Sequence, residues 1–481
     1  MDIMNIFNIL IAAPEIFLTG VIAVVLLADL YLPASRRKVI FWLTLIGIGI
    51  TAFIIIGQHA FAYKIGPAGH YVHDRLGDIT KLGILFVGFF IFIYAEHYLE
   101  SRKILRGEFY VLSLASILGM FILVSANSLL TIYLGLELLS LPLYALIAMQ
   151  RDARFNTEAA MKYFVLGSLA SALLLFGISI IYGATGFILL PEIANVVPQL
   201  IFADQKLLLA VGVVFLVAGI AFKLGAVPFH MWIPDVYSGA PTIVTTLIAS
   251  ASKLAGIVMA IRLLSQALGD LAVDWQPLCM VLAVLSLVIG NVVAIVQNDI
   301  KRLLGYSAIG HIGFIFLGLF VGTPEAYSAI LFYGLVYAVM VTAAFGLLIL
   351  IENDGVEVQT VEDLKGLAAR NPWYAFLMLL TMFSLAGIPP LAGFYAKFLV
   401  LQALAENHSI WLVGIALFFS VIGAFYYLRI VKIMYFAEPD NPGLIQSPKH
   451  LRYAISVNTL VILALGIIPA PLIAWCQSAF M

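Results

Sequence analysis

Seven of the titratable side chains inside long apolar stretches of this sequence are candidates for chemistry. Glu137 lies in YLGLELLSLPLYAL, Lys162 in AAMKYFVLGSLAS, and Lys223 and His230 in AGIAFKLGAVPFHMW. Lys253 lies in TLIASASKLAGIVMAIRLL, His311 in LLGYSAIGHIGFIFLGLF and Lys397 in AGIPPLAGFYAKFLVLQAL. A charge at mid-bilayer costs roughly 2.5–3.5 kcal/mol on insertion scales, so it is kept for a reason. Burial makes a lysine release its proton more readily, and a nearby carboxylate makes it hold that proton. One glutamate and several lysines strung through apolar surroundings therefore suit proton movement. A change in the distance between Glu137 and a lysine would switch the lysine between holding and releasing.

Each residue has a plainer reading as well. A lysine near a helix end can snorkel to the interface, which suits Arg262 as an anchor and leaves Lys162 open. Lys253 and Lys397 are too far into their runs for that. For Glu137 the plainer reading is a partner that only neutralises a lysine, and for His311 and His230 it is hydrogen-bonded packing. No other chemistry has its residues in place. A Gly-rich phosphate loop, an HExxH pair and paired metal-binding cysteines are all absent. Cys279 and Cys476 stand alone in apolar runs.

The elements that must position these groups are membrane helices. Of 481 residues, 63% are hydrophobic and 11% charged, and the mean hydropathy is +1.09. Uncharged runs near 20 residues recur throughout, the pattern of an all-α polytopic membrane protein. About fourteen spans are expected: 8–31, 39–58, 80–98, 108–126, 128–149, 157–183, 207–230, 242–266, 277–297, 302–322, 326–351, 373–404, 410–436 and 453–476. The first residues lack the basic start of a cleavable signal, so the first helix is expected to be retained. A net charge of −1 gives no reason to expect a nucleic-acid partner.

Basic residues set the orientation. Alternate connections hold Arg36, Arg37, Lys38, Arg102, Lys103, Arg106, Arg151, Arg154, Lys301, Arg302, Lys365, Arg370, Lys449 and Arg452. The opposite connections hold only Lys64, Arg75, Lys81 and Lys206. Fourteen against four puts both termini away from the cytoplasm. An internal repeat is expected at an offset of 174, which pairs Glu137 with His311 and Lys223 with Lys397, and AGIAFK with AGFYAK. The shift is five spans, an odd number, so the two five-helix units insert with inverted topology. Pro228 breaks the seventh span, and Pro389 and Pro390 break the twelfth. The division expected is 1–107 for helices 1–3, 108–270 for the first repeat (helices 4–8), 271–438 for the second (helices 9–13) and 439–481 for a loop and helix 14.

Four stretches, FKLGAVPFHMWIPDVYSGAPT, ASASKLAGIVMAIRL, QNDIKRLLGYSAIGHIGF and SLAGIPPLAGFYAKF, resemble the antiporter-like membrane subunits of respiratory complex I. The resemblance spans nearly the whole chain and is greatest to subunit N of bacterial NADH:quinone oxidoreductase. Subunit M has a glutamate where Lys397 stands, and subunit L is longer. The resemblance implies a proton relay through Glu137, Lys223, Lys253 and Lys397, with lesser parts for Lys162 and His311. It implies a non-redox subunit of a translocase and no cofactor in this chain, with NADH, FMN, iron–sulfur clusters and quinone held by partner subunits. It further implies a hetero-oligomer in the bacterial inner membrane, beside subunits K and M, the lateral helix of subunit L and lipid, with both termini periplasmic. Two rivals remain: a subunit of a multisubunit cation/proton antiporter or membrane-bound hydrogenase, and a subunit whose charges only lock helices together.

Overall fold

The computed structural model describes residues 10–33, 38–58, 63–102, 107–150, 152–201, 205–352, 357–439 and 447–481. Of the basic connections, Arg36, Arg37, Lys103, Arg106 and Arg151 lie outside the described residues. Thirteen described helices are long and apolar enough to cross a membrane. The twelfth span is the fourteenth crossing. It comes as two shorter helices, Pro372–Ala386 and Ala392–Glu406. Only helices satisfy their own backbone in lipid, and the uncharged runs supply the length. The eleventh span, Pro324–Ile351, is apolar all round and buried from Ala326 to Ile351, so the other helices pack about it.

The seventh span runs over Lys206–Leu224 and resumes as the short helix Trp232–Gly239. The eighth, Thr242–Ala267, is also interrupted. Ser250 departs from helical geometry between Thr242–Ala249 and Ala251–Ile261, and a π-helical turn, Arg262–Ala267, follows. No proline signals that interruption. The last expected span, 453–476, instead ends at Ile467. Pro469 and Pro471 start a separate helix, Ala470–Gln477.

The repeat is present, but its register is not the offset of 174. Ser128 caps the fifth span and Asp299 the tenth, each accepting a hydrogen bond from the backbone three residues on. Ser128 bridges to Leu189 and Asp299 to Thr360. A Cβ on Gly119 would lie 2.2 Å from the nitrogen of Leu139, and one on Gly290 would lie 2.4 Å from that of Gly310. All four pairs of positions are 171 apart, so Ser140, not Glu137, corresponds to His311. At the breaks, Gly225 and Gly387 correspond, 162 apart. Lys223 precedes its break and Lys397 follows its own, so the two lysines are not equivalent. AGIAFK and AGFYAK match in letters on opposite sides of the turn.

Candidate functional site

Each break is built the same way. Gly225 (φ 82°) and Gly387 (φ 88°) end their helices in the left-handed region, where a side chain is strained. The amides of Gly225 and Ala226 bond the carbonyl of Ala221, both at 2.8 Å. Those of Gly387 and Ile388 bond Phe383 at 3.1 and 2.9 Å. Prolines then prevent continuation: Pro228 in one break, Pro389 and Pro390 in the other. A hydroxyl captures one backbone amide at each turn, Ser286 that of Val227 and Ser384 that of Gly393.

The last carbonyl of each first half faces an ammonium group. Lys253 of the eighth span donates to Leu224. Lys397 donates to Ala386 at 2.8 Å and to Ser420 Oγ at 2.9 Å. Leu224 and Ala386 are equivalent carbonyls, supplied with a cation from different elements. The negative end of a helix, about half a charge, favours a cation there. The glycines leave the room: a Cβ on Gly225 would meet Lys253 Nζ at 3.2 Å, and one on Gly387 would meet Lys397 Nζ at 3.3 Å. Lys253 lies eleven residues beyond Thr242, about 16 Å along the helix, near the middle of a 30 Å hydrocarbon layer.

Lys223 sits one residue before the first break and donates to Ser140 Oγ at 3.1 Å. Glu137 shares that face of the fifth span with Ser140 and Tyr144. No ion pair within 4.0 Å joins Glu137 to a cation among the described residues, and its Oε1 is buried without a hydrogen-bond partner. Glu137 also belongs to a stripe with Leu130, Leu134 and Leu141, each about half exposed. A cavity of about 20 Å³ touches Ser140, Tyr144, Tyr163, Ser171 and Lys223, room for about one water.

In the second repeat His311 bonds Tyr333 through Nδ1 at 2.6 Å and Tyr427 through Nε2 at 3.1 Å. Tyr427 meets Ser307. A cavity of about 10 Å³ lies among His311, Asn291, Ser307, Tyr427, Ser420 and Lys397. The structure thus joins Lys223 to Ser140, on the helix face that Glu137 shares, Lys253 to the first break, and His311 to the small cavity at Lys397. It does not bring Lys162 or His230 into these groups. Lys162 is 42% exposed and pairs with Glu158 at 2.9 Å and Asp235 at 2.7 Å. His230 stands in the turn of the first break, with Nδ1 buried and unpartnered.

Lys162 lines an open polar cleft of about 920 Å³, shared with Arg102, Asp235, Lys301, Arg302 and Glu357. Asp235 bridges Lys162 to Arg302, the latter at 2.8 Å. Glu357 accepts from Lys301 at 2.9 Å and from the Tyr98 hydroxyl. Burial pushes the Glu357 carboxyl up, but Lys301, Tyr98 and Arg102 outweigh it and hold it at about 2. Connection 7–8, which has no Lys or Arg, forms one wall of this cleft.

Two buried ion pairs were missed by sequence reasoning. Lys81, counted with the connections, is inside the third span and pairs with Glu15 of the first at 2.5 Å; both also meet Tyr71. Arg262, expected to be an interfacial anchor, is 1% exposed. It bonds Asp74 at 2.9 Å and the carbonyl of Val124. Opposite charges within two apolar runs, Glu15 and Lys81, were the available signal. Among the described residues no group of three or more His, Cys, Asp or Glu could hold a metal. What the site can do is pass protons between ammonium, imidazole, carboxylate and hydroxyl groups.

Residues 126–423 match the family model described as NADH:quinone oxidoreductase/Mrp antiporter, TM. NADH-quinone oxidoreductase subunit N of Nitrosomonas europaea is 48% identical over 468 residues, 97% of each chain. That of Thioalkalivibrio sulfidiphilus is 46% identical over 472 residues, again 97% of each. Among solved structures, a chain of respiratory complex I from Thermus thermophilus with bound aureothin is 31% identical. It superposes with a TM-score of 0.81, covering 97% of this chain and 100% of that one. A chain of the Mrp complex from a Dietzia species shares the fold at a TM-score of 0.87 and 20% identity, covering 98% and 97%. The chain belongs to the NADH:quinone oxidoreductase/Mrp antiporter membrane family and, within it, to the NADH-quinone oxidoreductase subunit N proteins.

Proposed function

We propose that this chain is a proton-translocating, non-redox subunit of NADH:quinone oxidoreductase. Electron transfer in other subunits drives it, and the relay runs through Glu137, Lys223, Lys253 and Lys397. The observation that carries this reading is the lysine seated on the equivalent carbonyl of each helix break. Such a seat holds a cation at mid-membrane while leaving its proton exchangeable with a neighbour. Glu137 modulates Lys223 through Ser140, His311 serves Lys397 through the tyrosine cluster, and Lys162 acts at the cleft with Asp235. His230 has at most a local part in the first turn.

A hetero-oligomeric setting suits the exposed parts of the site. Pro228, Pro389 and Pro390 reach the protein surface, and irregular backbone at membrane depth needs protein cover. The Leu130–Leu134–Leu141 stripe around Glu137 needs the same. Subunits K and M and the lateral helix of subunit L are the neighbours proposed, in a bacterial inner membrane with both termini periplasmic. The working division is 1–107, 108–270, 271–438 and 439–481. The chain holds no cofactor in this reading; NADH, FMN, iron–sulfur clusters and quinone belong to partners. Identities near 45–48% to subunit N proteins favour it over an antiporter or hydrogenase subunit.

Glu137→Gln tests the reading. NADH-driven quinone reduction and proton uptake by inverted membrane vesicles are measured together, with the amount of assembled complex. Both rates should fall while assembly holds. Unchanged rates would remove Glu137 from the path.

A further inference from the structure

The third span opens on Arg75. Arg75, Ile79, Leu82, Phe86 and Phe89 recur every three or four residues, so they share one face of that helix. The four apolar members line a groove of about 470 Å³. Its wall beside Arg75 is Trp475 of the helix Ala470–Gln477. Arg75 Nη1 reaches the carbonyl of Ser478 at 3.5 Å, and the Ser478 hydroxyl bonds the carbonyl of Trp475 at 2.7 Å. Gly49 and Ala52 of the second span line another side. At the bottom lie Leu335 and Val339 of the eleventh span, at 8% and 7% the most exposed apolar side chains between Ala326 and Ile351.

Three features select what lies there. Phe89 is ten residues beyond Ile79, about 15 Å along the helix, which is half of a 30 Å hydrocarbon layer. The groove therefore has the depth of one leaflet, whereas a partner helix crossing the membrane would need about twice that length. Its lining is aliphatic, Phe or Gly apart from Trp475, which stands at the mouth, where tryptophan meets the headgroup layer. Arg75 is exposed and pairs with no carboxylate among the described residues. A cation in the first turn opposes the helix dipole, so Arg75 gains nothing from its own helix. An anion in the headgroup layer would complete it.

We propose that the groove seats an acyl chain of an anionic phospholipid whose phosphate lies on Arg75. The chain covers Leu335 and Val339 with hydrocarbon. It thereby packs against the helix that carries Tyr333, the partner of His311 at 2.6 Å. A neutral isoprenoid or a partner helix would leave Arg75 without its anion.

The test uses the whole complex in phosphatidylcholine bilayers doped with a photoactivatable lipid. That lipid is either phosphatidylglycerol or phosphatidylcholine, with the diazirine near the glycerol or at the chain end. Labelled residues are mapped by peptide mass spectrometry, per assembled complex. Phosphatidylglycerol should label the groove about fivefold more than phosphatidylcholine, the worth of one basic residue near an anionic lipid. The shallow diazirine should label Ile79 and Trp475, and the deep one Phe86, Phe89 and Val339. Arg75→Gln should abolish the preference. Gly49→Trp, at a position where a Cβ meets nothing within 4 Å, and Ala52→Trp should lower labelling by both lipids. Equal labelling by the two lipids in the wild type overturns the proposal. So does a deep label that misses Phe86 and Phe89, or a preference that survives Arg75→Gln. A groove unlabelled in the intact complex is covered by a partner subunit and overturns it as well. If a variant lowers assembly, the headgroup comparison and depth profile of the wild type still decide.

Discussion

Gly387→Ala moves a lysine without changing its charge. At φ 88° an alanine costs about 1–2 kcal/mol in backbone strain. Its Cβ would also lie 2.9 Å from Lys397 Cδ and 3.3 Å from Nζ, so the side chain must shift. The shift pulls the ammonium from the Ala386 carbonyl, 2.8 Å away. A hydrogen bond to a charged group is worth about 1.5–3 kcal/mol. If that seat defines the proton-holding geometry, turnover should fall roughly tenfold or more, at ten-fold per 1.4 kcal/mol. The control is Gly414→Ala, where nothing lies within 4 Å. Both variants are assayed in inverted vesicles for NADH-driven quinone reduction and proton uptake per assembled complex. Gly387→Ala turning over as fast as Gly414→Ala, at equal content, would refute the seat.

Other outcomes follow from the cleft and the helix contacts. Lys301→Met removes the closest cation from a largely buried carboxylate and should destabilise by about 3 kcal/mol, the lower end for a broken buried pair. Adding Glu357→Gln should recover part of that loss, read as the temperature at which solubilised complex loses half its activity. Because the folded Glu357 sits at about 2, below its ordinary 4.5, its stabilisation is full above pH 4.5 and drains away toward pH 2. Glu357→Gln should flatten that part of the pH–stability curve. Asp235→Asn breaks pairs that are a third exposed, so stability should change by no more than about 1 kcal/mol, checked by the same midpoint. Gly119→Leu and Gly290→Leu drive a side chain into facing backbone at 2.2 and 2.4 Å. Neither should yield assembled complex on native gels.

Much of the architecture was legible because membrane helices announce themselves by length and lack of charge. The breaks were legible because proline and glycine cannot continue a helix. The register of the repeat was not. AGIAFK and AGFYAK share letters, but one ends before its turn and the other begins after it, and only the glycine–carbonyl geometry tells them apart. The likeness of Lys253 to Lys397 was hidden for a related reason: their common partner is a backbone carbonyl, which leaves no mark in side-chain identity. The break at Ser250 carries no proline, so nothing local marks it. Lys81 and Arg262 were misplaced because charges near span ends usually reach water, whereas these two meet Glu15 and Asp74 inside the bundle.

The most direct measurement is Lys223→Ala in the native operon, with NADH-driven quinone reduction and proton uptake recorded together in inverted vesicles. Lys223 stands between Glu137 with Ser140 on one side and Lys253 on the other, so its loss cuts the first half of the row. Both rates should fall together while the complex remains assembled. Both rates staying at wild-type levels would contradict a relay through the buried row.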